Sequence, residues 1–183
     1  MTLDPSLRDE ILAAISSLRA FALSLTGHAD RADDLVQETL VRAVSNIHRF
    51  AAGTNLNAWL FTILRNHFHS EYRKRRREIE DADGSYAARL SAPPEQGARL
   101  DFEDFRKALA RIPVDQREAL LLVGAEGLSY EEAAEVCGVA VGTIKSRVNR
   151  ARIRLAQMLA VEHGEEFNPD PTIKAALQGT FKS

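Results

Sequence analysis

The sequence predicts an all-α protein made of two small helical domains joined by a flexible linker, with a helix-turn-helix in the second domain. Three observations predict it. Apolar residues recur at steps of three and four through long stretches, and no strand-like alternation stands out. Glycine and proline are scarce, at 10 and 6 of 183 residues. One acidic stretch containing helix breakers divides the pattern into residues 6–77 and 102–160.

Composition narrows the functional classes. A length of 183 residues with 45% hydrophobic content suits one ordinary domain or two small ones. Cys137 is the only cysteine, which excludes an intramolecular disulfide or a cysteine-rich metal site and favours a reducing compartment. The start, MTLDPSLRDE, lacks the basic and apolar segments of a signal peptide, and no apolar run approaches the roughly 18 residues of a membrane span. A soluble, cytoplasmic chain with no membrane partner is expected.

In ADRADDLVQETLVRAVSNIHRF, residues Val36, Leu40, Ala43 and Ile47 form a buried stripe, and Asp34, Gln37, Glu38, Val41, Arg42 and Ser45 fall opposite. That acidic face with an apolar spot is either a solvated surface or a docking site for a protein, and periodicity leaves both open. NLNAWLFTILRNHFHSEYRKRRR, residues 55–77, aligns Leu56, Leu60, Ile63, Leu64, Phe68 and Tyr72 and ends in Arg73, Lys74, Arg75, Arg76 and Arg77. Basic residues at a helix C-terminus complement its dipole, but five in succession exceed that need. Trp59 fits a core position better than a stacking platform.

The linker expected over residues 78–101 opens EIEDADGSYAARLSAPPEQGARLDFED, which holds eight acids against Arg89 and Arg99, together with Gly84, Pro93, Pro94 and Gly97. Beyond it, Asp115 with Glu118 and Ser129 with Glu132 have capping-box spacing, and Gly127 and Gly138 are placed to stop the helices they begin. A helix of about nine residues, a break at residues 138–140 and a second helix from about Val141 make a helix-turn-helix. The second helix buries Val141, Ile144, Val148, Ala151 and Leu155. Thr143, Lys145, Ser146, Arg147, Asn149, Arg150 and Arg152 then point outward, where long donors reach base edges and phosphates. Residues 161–183 form a tail with no readable function.

GVAVGTIKSRVNRARIRL, residues 138–155, has five basic residues and no acid, although the chain carries a formal charge of −2. A solvated helix normally mixes signs to gain pairs one turn apart. With Arg65 included, the two basic segments hold six and five residues, eleven of the chain's 24 basic side chains. One basic surface in each domain of an acidic chain points to a bipartite nucleic-acid contact.

These segments resemble, in order and spacing, the extracytoplasmic-function (ECF) sigma factors of bacterial RNA polymerase. DDLVQETLVRA resembles the helix of that family that binds core polymerase, FAAGTNLNAWLFTILRNHFHSEYRKRRR the promoter-melting and downstream-element region, and LSYEEAAEVCGVAVGTIKSRVNRARIRL the upstream-element helix-turn-helix. The resemblance runs from Leu7 to Leu159. SEYRKRRREIEDADGSYAARL further resembles the EcfG-type subgroup of the alphaproteobacterial general stress response.

The resemblance implies that Asp34, Gln37, Glu38, Val41 and Arg42 bind core RNA polymerase. It assigns Lys145, Ser146, Arg147 and Arg150 to the upstream element, with Arg147 and Arg150 foremost, Asn149 and Arg152 beside them, and Thr143 near the helix N-terminus suited to a phosphate. Phe50, Thr54, Asn55, Leu56 and Asn66 would form a pocket for a flipped base of the downstream strand, with Arg65, Arg73 and Lys74 nearby. Ala51 and Ala52 depart from the family's usual base-capturing loop, and Ala140 replaces a common proline. Partners implied are core polymerase, promoter DNA and a NepR-type anti-sigma protein gripping both domains, released by a response regulator that mimics a sigma factor. No enzymatic activity, cofactor or metal is expected. His67 and His69 lie about 200 degrees apart on a helix, and no phosphate-cradling glycine loop, nucleophile elbow or HExxH is present. The alternative is a helix-turn-helix regulator that binds duplex DNA without polymerase.

Overall fold

The computed structural model describes residues 4–81 and 100–162, with side chains described over 4–77 and 104–160. Among the described residues every regular element is helical, as expected. The helices are α1 (Pro5–Thr26), α2 (Ala29–Ser45), a short 3-10 turn (Ile47–Arg49), α3 (Leu56–Asp81), α4 (Leu100–Ala110), α5 (Val114–Gly124), α6 (Tyr130–Cys137) and α7 (Val141–Glu162). Helix α3 thus runs past residue 77 to Asp81. Most of the expected linker and the tail beyond Glu162 lie outside the described residues.

The N-terminal domain is α1 to α3. Pro5 occupies the first turn of α1, where its missing N–H costs nothing, and the Asp4 carboxylate accepts from the Leu7 amide. Gly27, at φ 71°, closes α1 by donating its N–H to Leu23 and turns the chain into α2. Leu18, Phe21 and Ala22 of α1 meet Leu35, Val36 and Ala43 of α2 and Leu60, Phe61 and Leu64 of α3. Phe21 and Phe61 stack edge to face with centroids 5.1 Å apart. Arg19 and Asp33, 2.6 Å apart, tie α1 to α2 at the surface. The stripe expected on α2 is present but shifted toward Ala32, Leu35 and Thr39, leaving Leu40 and Ile47 half-buried. On α3 the expected stripe ends sooner: Tyr72 is 56% exposed and lies against Phe68, at the rim of a groove between α2 and α3.

The C-terminal domain is α4 to α7. The expected Ser129–Glu132 capping box is formed: Ser129 Oγ accepts from the Glu132 amide at 3.1 Å, and Glu132 accepts from the Ser129 amide at 2.8 Å. The Ser129 amide, with the Asn55 side-chain amide, holds the Glu132 carboxyl below its ordinary range. Its contribution is therefore full above the ordinary value of 4.5 and fades as pH falls below it. Ser129→Ala should cost about 1 kcal/mol in urea denaturation at neutral pH, and a change under about 0.3 kcal/mol would show that α6 is held by packing alone. Gly138 ends α6 in the left-handed conformation at φ 65°, and the Val139 amide reaches back to Ala134. The Ala140 carbonyl then accepts from Thr143 and Ile144 to begin α7, work that does not need a proline there.

Two expectations about α5 fail. The Asp115–Glu118 capping box does not form, because α5 begins directly after Pro113 and Glu118 is turned into the protein. Gly127 does not stop α5, which ends at Gly124. Its φ of 70° instead shapes the turn in which the Leu128 amide reaches the Leu122 carbonyl.

The two domains pack together. Helix α3 lies against α6 and α1 against α5, and one apolar cluster runs from Leu60 and Leu64 to Ala133, Val136, Ile144 and Val148. A smaller cluster of Leu109, Ile112 and Ala151 joins α4 to α7.

Candidate nucleic-acid interface

Helix α7 buries Ile144, Val148 and Ala151, and this fixes its outer face. Thr143, Lys145, Ser146, Arg150 and Arg152 are exposed there and Asn149 is half-buried. Lys145 Nζ sits 5.7 Å from the centre of the Tyr130 ring, which steadies its long stem without neutralising it. Arg147 differs from its neighbours. Only 20% of its side chain is exposed, its Nε is 3.2 Å from Asp115 of α5, and its Nη1 is buried without a hydrogen-bond partner. Position explains this: Arg147 precedes Val148 and follows Ile144 by three, at the edge of the buried stripe, so its side chain folds over α5. The outward placement expected for it is not observed. Asp115, read from sequence as a cap, is its anchor.

The downstream candidates fall into three groups. Phe50 lies against Trp59 with ring centroids 5.4 Å apart, and Thr54 Oγ1 donates to the Ala51 carbonyl, so the loop before α3 is ordered by its own contacts. Gly53 there has φ 87° and would be strained as any other residue. Thr54 and Asn66 are exposed and Phe50 is half-buried. Leu56, by contrast, is buried in the core and does not wall a surface pocket. Asn55 begins α3, its Oδ1 accepting from the Ala58 amide, while its Nδ2 donates to Glu132 of α6 at 2.8 Å.

Arg73 and Lys74 are exposed on the last turns of α3. Arg65 is only 16% exposed: its Nε donates at 2.9 Å to Glu118, whose carboxylate is fully buried and also lies 2.6 Å from His69 Nε2. Local sequence gives no sign of this contact, because Glu118 stands before an apolar run and its partners belong to the other domain. His67 pairs with Glu71 instead, and among the described residues no cluster of His, Cys, Asp and Glu is arranged to hold a metal.

On α2, Asp34, Gln37, Val41 and Arg42 are exposed and Glu38 is half-buried. Glu38 accepts from Arg42 at 2.7 Å, which holds its carboxyl below the ordinary range. Val41 is 55% exposed and Val44 beside it is also bare, an apolar spot wider than the sequence indicated. A groove of about 290 Å³ between α2 and α3 adjoins this face, lined by Asp34, Glu38, His67, Glu71 and Arg75 among others.

Residues 13–78 match the Sigma-70 region 2 family and residues 102–155 the Sigma-70, region 4 family. The chain is 66% identical to the ECF RNA polymerase sigma factor EcfG of Rhodopseudomonas palustris (strain TIE-1), over 98% of its own length and 99% of that relative. The chain belongs to the ECF sigma factor family. Another ECF sigma factor, SigC of Mycobacterium tuberculosis (strain CDC 1551 / Oshkosh), is 44% identical over 66% of each chain. Among solved structures, the sigma factor RpoE from Bartonella quintana, in complex with the anti-sigma factor NepR, superposes with a TM-score of 0.78 at 51% identity, covering 86% of this chain and 99% of that one. In family terms α1 to α3 are region 2 and α4 to α7 are region 4. No helix among the described residues is long and apolar enough to cross a membrane.

Proposed function

We propose that this ECF sigma factor directs core RNA polymerase to promoters of a general stress response, works in the cytoplasm without catalysis of its own, and is restrained by a NepR-type anti-sigma protein. The observation that carries this is sequence identity of 66% to EcfG over 98% of the chain. The RpoE relative bound to NepR supports the partner, at 51% identity.

Within that reading α2 docks on polymerase through Asp34, Gln37, Glu38, Val41 and Arg42. The loop at Phe50, Thr54 and Asn55, with Asn66, Arg73 and Lys74, takes the opened downstream strand. Lys145, Ser146, Asn149 and Arg150 read the upstream duplex. Arg147 supports α7 through Asp115, and Thr143 and Arg152 contact phosphate. The alternative of a polymerase-independent helix-turn-helix regulator accounts for α4 to α7 and leaves residues 13–78 without a task.

Run-off transcription with purified core polymerase tests the reading, with the NepR-type protein added to displace the sigma factor. No promoter-dependent transcript, or transcription undiminished by excess partner, would refute the corresponding part. Arg150→Ala should cost about 1 to 3 kcal/mol of discrimination at one upstream position, read from binding across promoter variants. Arg152→Ala should instead weaken all duplexes evenly and lower the salt slope by about one. Equal losses in both variants at every promoter position would refute that division of labour.

A further inference from the structure

We propose that Asp115 is a specificity-determining residue of the upstream contact: from α5 it holds the Arg147 guanidinium off the duplex, so that α7 meets DNA with one arginine fewer than its sequence offers. This rests on the proposed role of α7 in upstream reading and adds the control of one of its side chains.

The helix itself does not keep Arg147 from DNA. On α7 it stands one turn after Thr143 and one turn before Arg150, both exposed, so the three share one flank of the helix. A side chain of its length, left free there, extends beside that of Arg150. What turns it back is Asp115, whose carboxylate lies 3.2 Å from the Arg147 Nε on a helix packed against α7. Asp115 stands in the first turn of α5, after an N-terminus at which Pro113 supplies no side-chain cap. The positive end of the helix dipole favours a carboxylate at that place.

The pair is a weak tie and a sufficient restraint. A guanidinium carries several N–H donors, yet Arg147 meets Asp115 through Nε, and its Nη1 is buried without a hydrogen-bond partner. Half of the Asp115 side chain faces solvent, and pairs so exposed add little stability. Helices α5 and α7 are joined without it, because Ala119, Leu122, Ile144 and Val148 belong to one apolar cluster. The consequence of the pair is for recognition. A guanine presents O6 and N7 to a guanidinium much as a carboxylate presents its two oxygens, and an arginine engaged by one is withheld from the other. Selectivity is set by contacts withheld as well as by contacts made. With Arg147 free, a promoter placing guanine beneath it would gain affinity whatever Lys145, Ser146, Asn149 and Arg150 read. The unmet Nη1 donor costs free energy in the folded-back pose, so loss of Asp115 turns the side chain outward.

The test compares full-length chains: the parent, Asp115→Ala, Arg147→Met, which keeps the buried stem, and the double variant. Each is assembled with core polymerase and bound to promoter fragments carrying every base at each upstream position. Asp115→Ala should gain about tenfold in affinity for guanine at one position where the parent shows no such preference. Arg147→Met should discriminate as the parent does and should abolish the gain in the double variant. A gain of equal size in the double variant would mean that Asp115 acts only through its charge near DNA, and would overturn the proposal. A gain equal for every base would overturn it too, as would a loss of discrimination in Arg147→Met alone. The side chain is also followed in the free chain by NMR, with the Arg147 Nε–H signal assigned by its absence from Arg147→Met. Its exchange with water should quicken several-fold in Asp115→Ala, and an unchanged rate would overturn the proposal without reference to any promoter. Asp115→Ser, also uncharged and suited to the start of a helix, repeats each measurement if the alanine variant does not fold. A parent holoenzyme with no promoter preference would count against the sigma reading, and the exchange rates still decide the hold of Asp115 on Arg147.

Discussion

Phe61→Ala should cost about 3 to 5 kcal/mol of region 2 stability. Phe61 is 1% exposed at the centre of the three-helix packing and meets Phe21 of α1 edge to face. Truncation removes the burial of a whole ring, leaves a cavity that α1 and α3 cannot close without moving, and forfeits the aromatic pair. Small domains have only about 5 to 15 kcal/mol in total, so a large share of the variant would be unfolded at growth temperature. Polymerase docking should fall with it, although α2 keeps every exposed residue. Phe61→Leu, which keeps most of the volume, should lose less than half as much. Urea denaturation followed by circular dichroism measures both. A loss below about 1 kcal/mol for the alanine variant would mean that the core collapses around the gap.

What was legible in the sequence was whatever depends on near neighbours. The Ser129 box, the Gly138 stop and the apolar stripe of α7 need only residues near one another; the first two stand as expected, and the stripe is buried at Ile144, Val148 and Ala151 but half-buried at its ends, Val141 and Leu155. The docking of region 4 on region 2 was not legible, because Glu118 meets Arg65 from 53 residues away and the acid-to-acid spacing at Asp115 and Glu118 imitates a cap. Arg147 misled for a related reason. Its sign and its place in a basic run match its neighbours, and what separates it from Arg150 is a place at the edge of the buried stripe within reach of Asp115 on an adjacent helix. Tyr72 shows the same limit from the apolar side: a stripe can be read from periodicity, but how far along it burial extends is a fact of packing, and the same burial that bears out Leu56 on the stripe removes it from the base pocket.

Arg117→Ala should destabilise region 4 by about 3 kcal/mol, through a side chain that no motif marks. Arg117 is buried on α5, and its Nη1 donates at 2.9 Å to the Ala110 carbonyl and at 3.4 Å to that of Leu109. Those carbonyls end α4, where helix geometry leaves acceptors without partners and the dipole favours a cation. Burial lowers the guanidinium's hold on its proton, and the neighbouring Glu118 opposes that shift. Alanine would take this donor from the Ala110 carbonyl, while that of Leu109 keeps the Ile112 amide, and would open a cavity between α4 and α5 and remove a compensating charge from Glu118. Because α4 packs on α7 through Leu109, Ile112 and Ala151, the recognition helix loses its backing and duplex affinity should fall at temperatures well below those that unfold region 2. Arg117→Met separates the causes, since it refills most of the volume without the donor or the charge and should recover about half of the loss. The thermal midpoint should drop by roughly 10 °C or more for alanine, measured by calorimetry alongside DNA binding. An alanine variant within about 0.5 kcal/mol of the parent would show that water satisfies the end of α4, and a methionine variant no better than alanine would place the whole effect in the guanidinium.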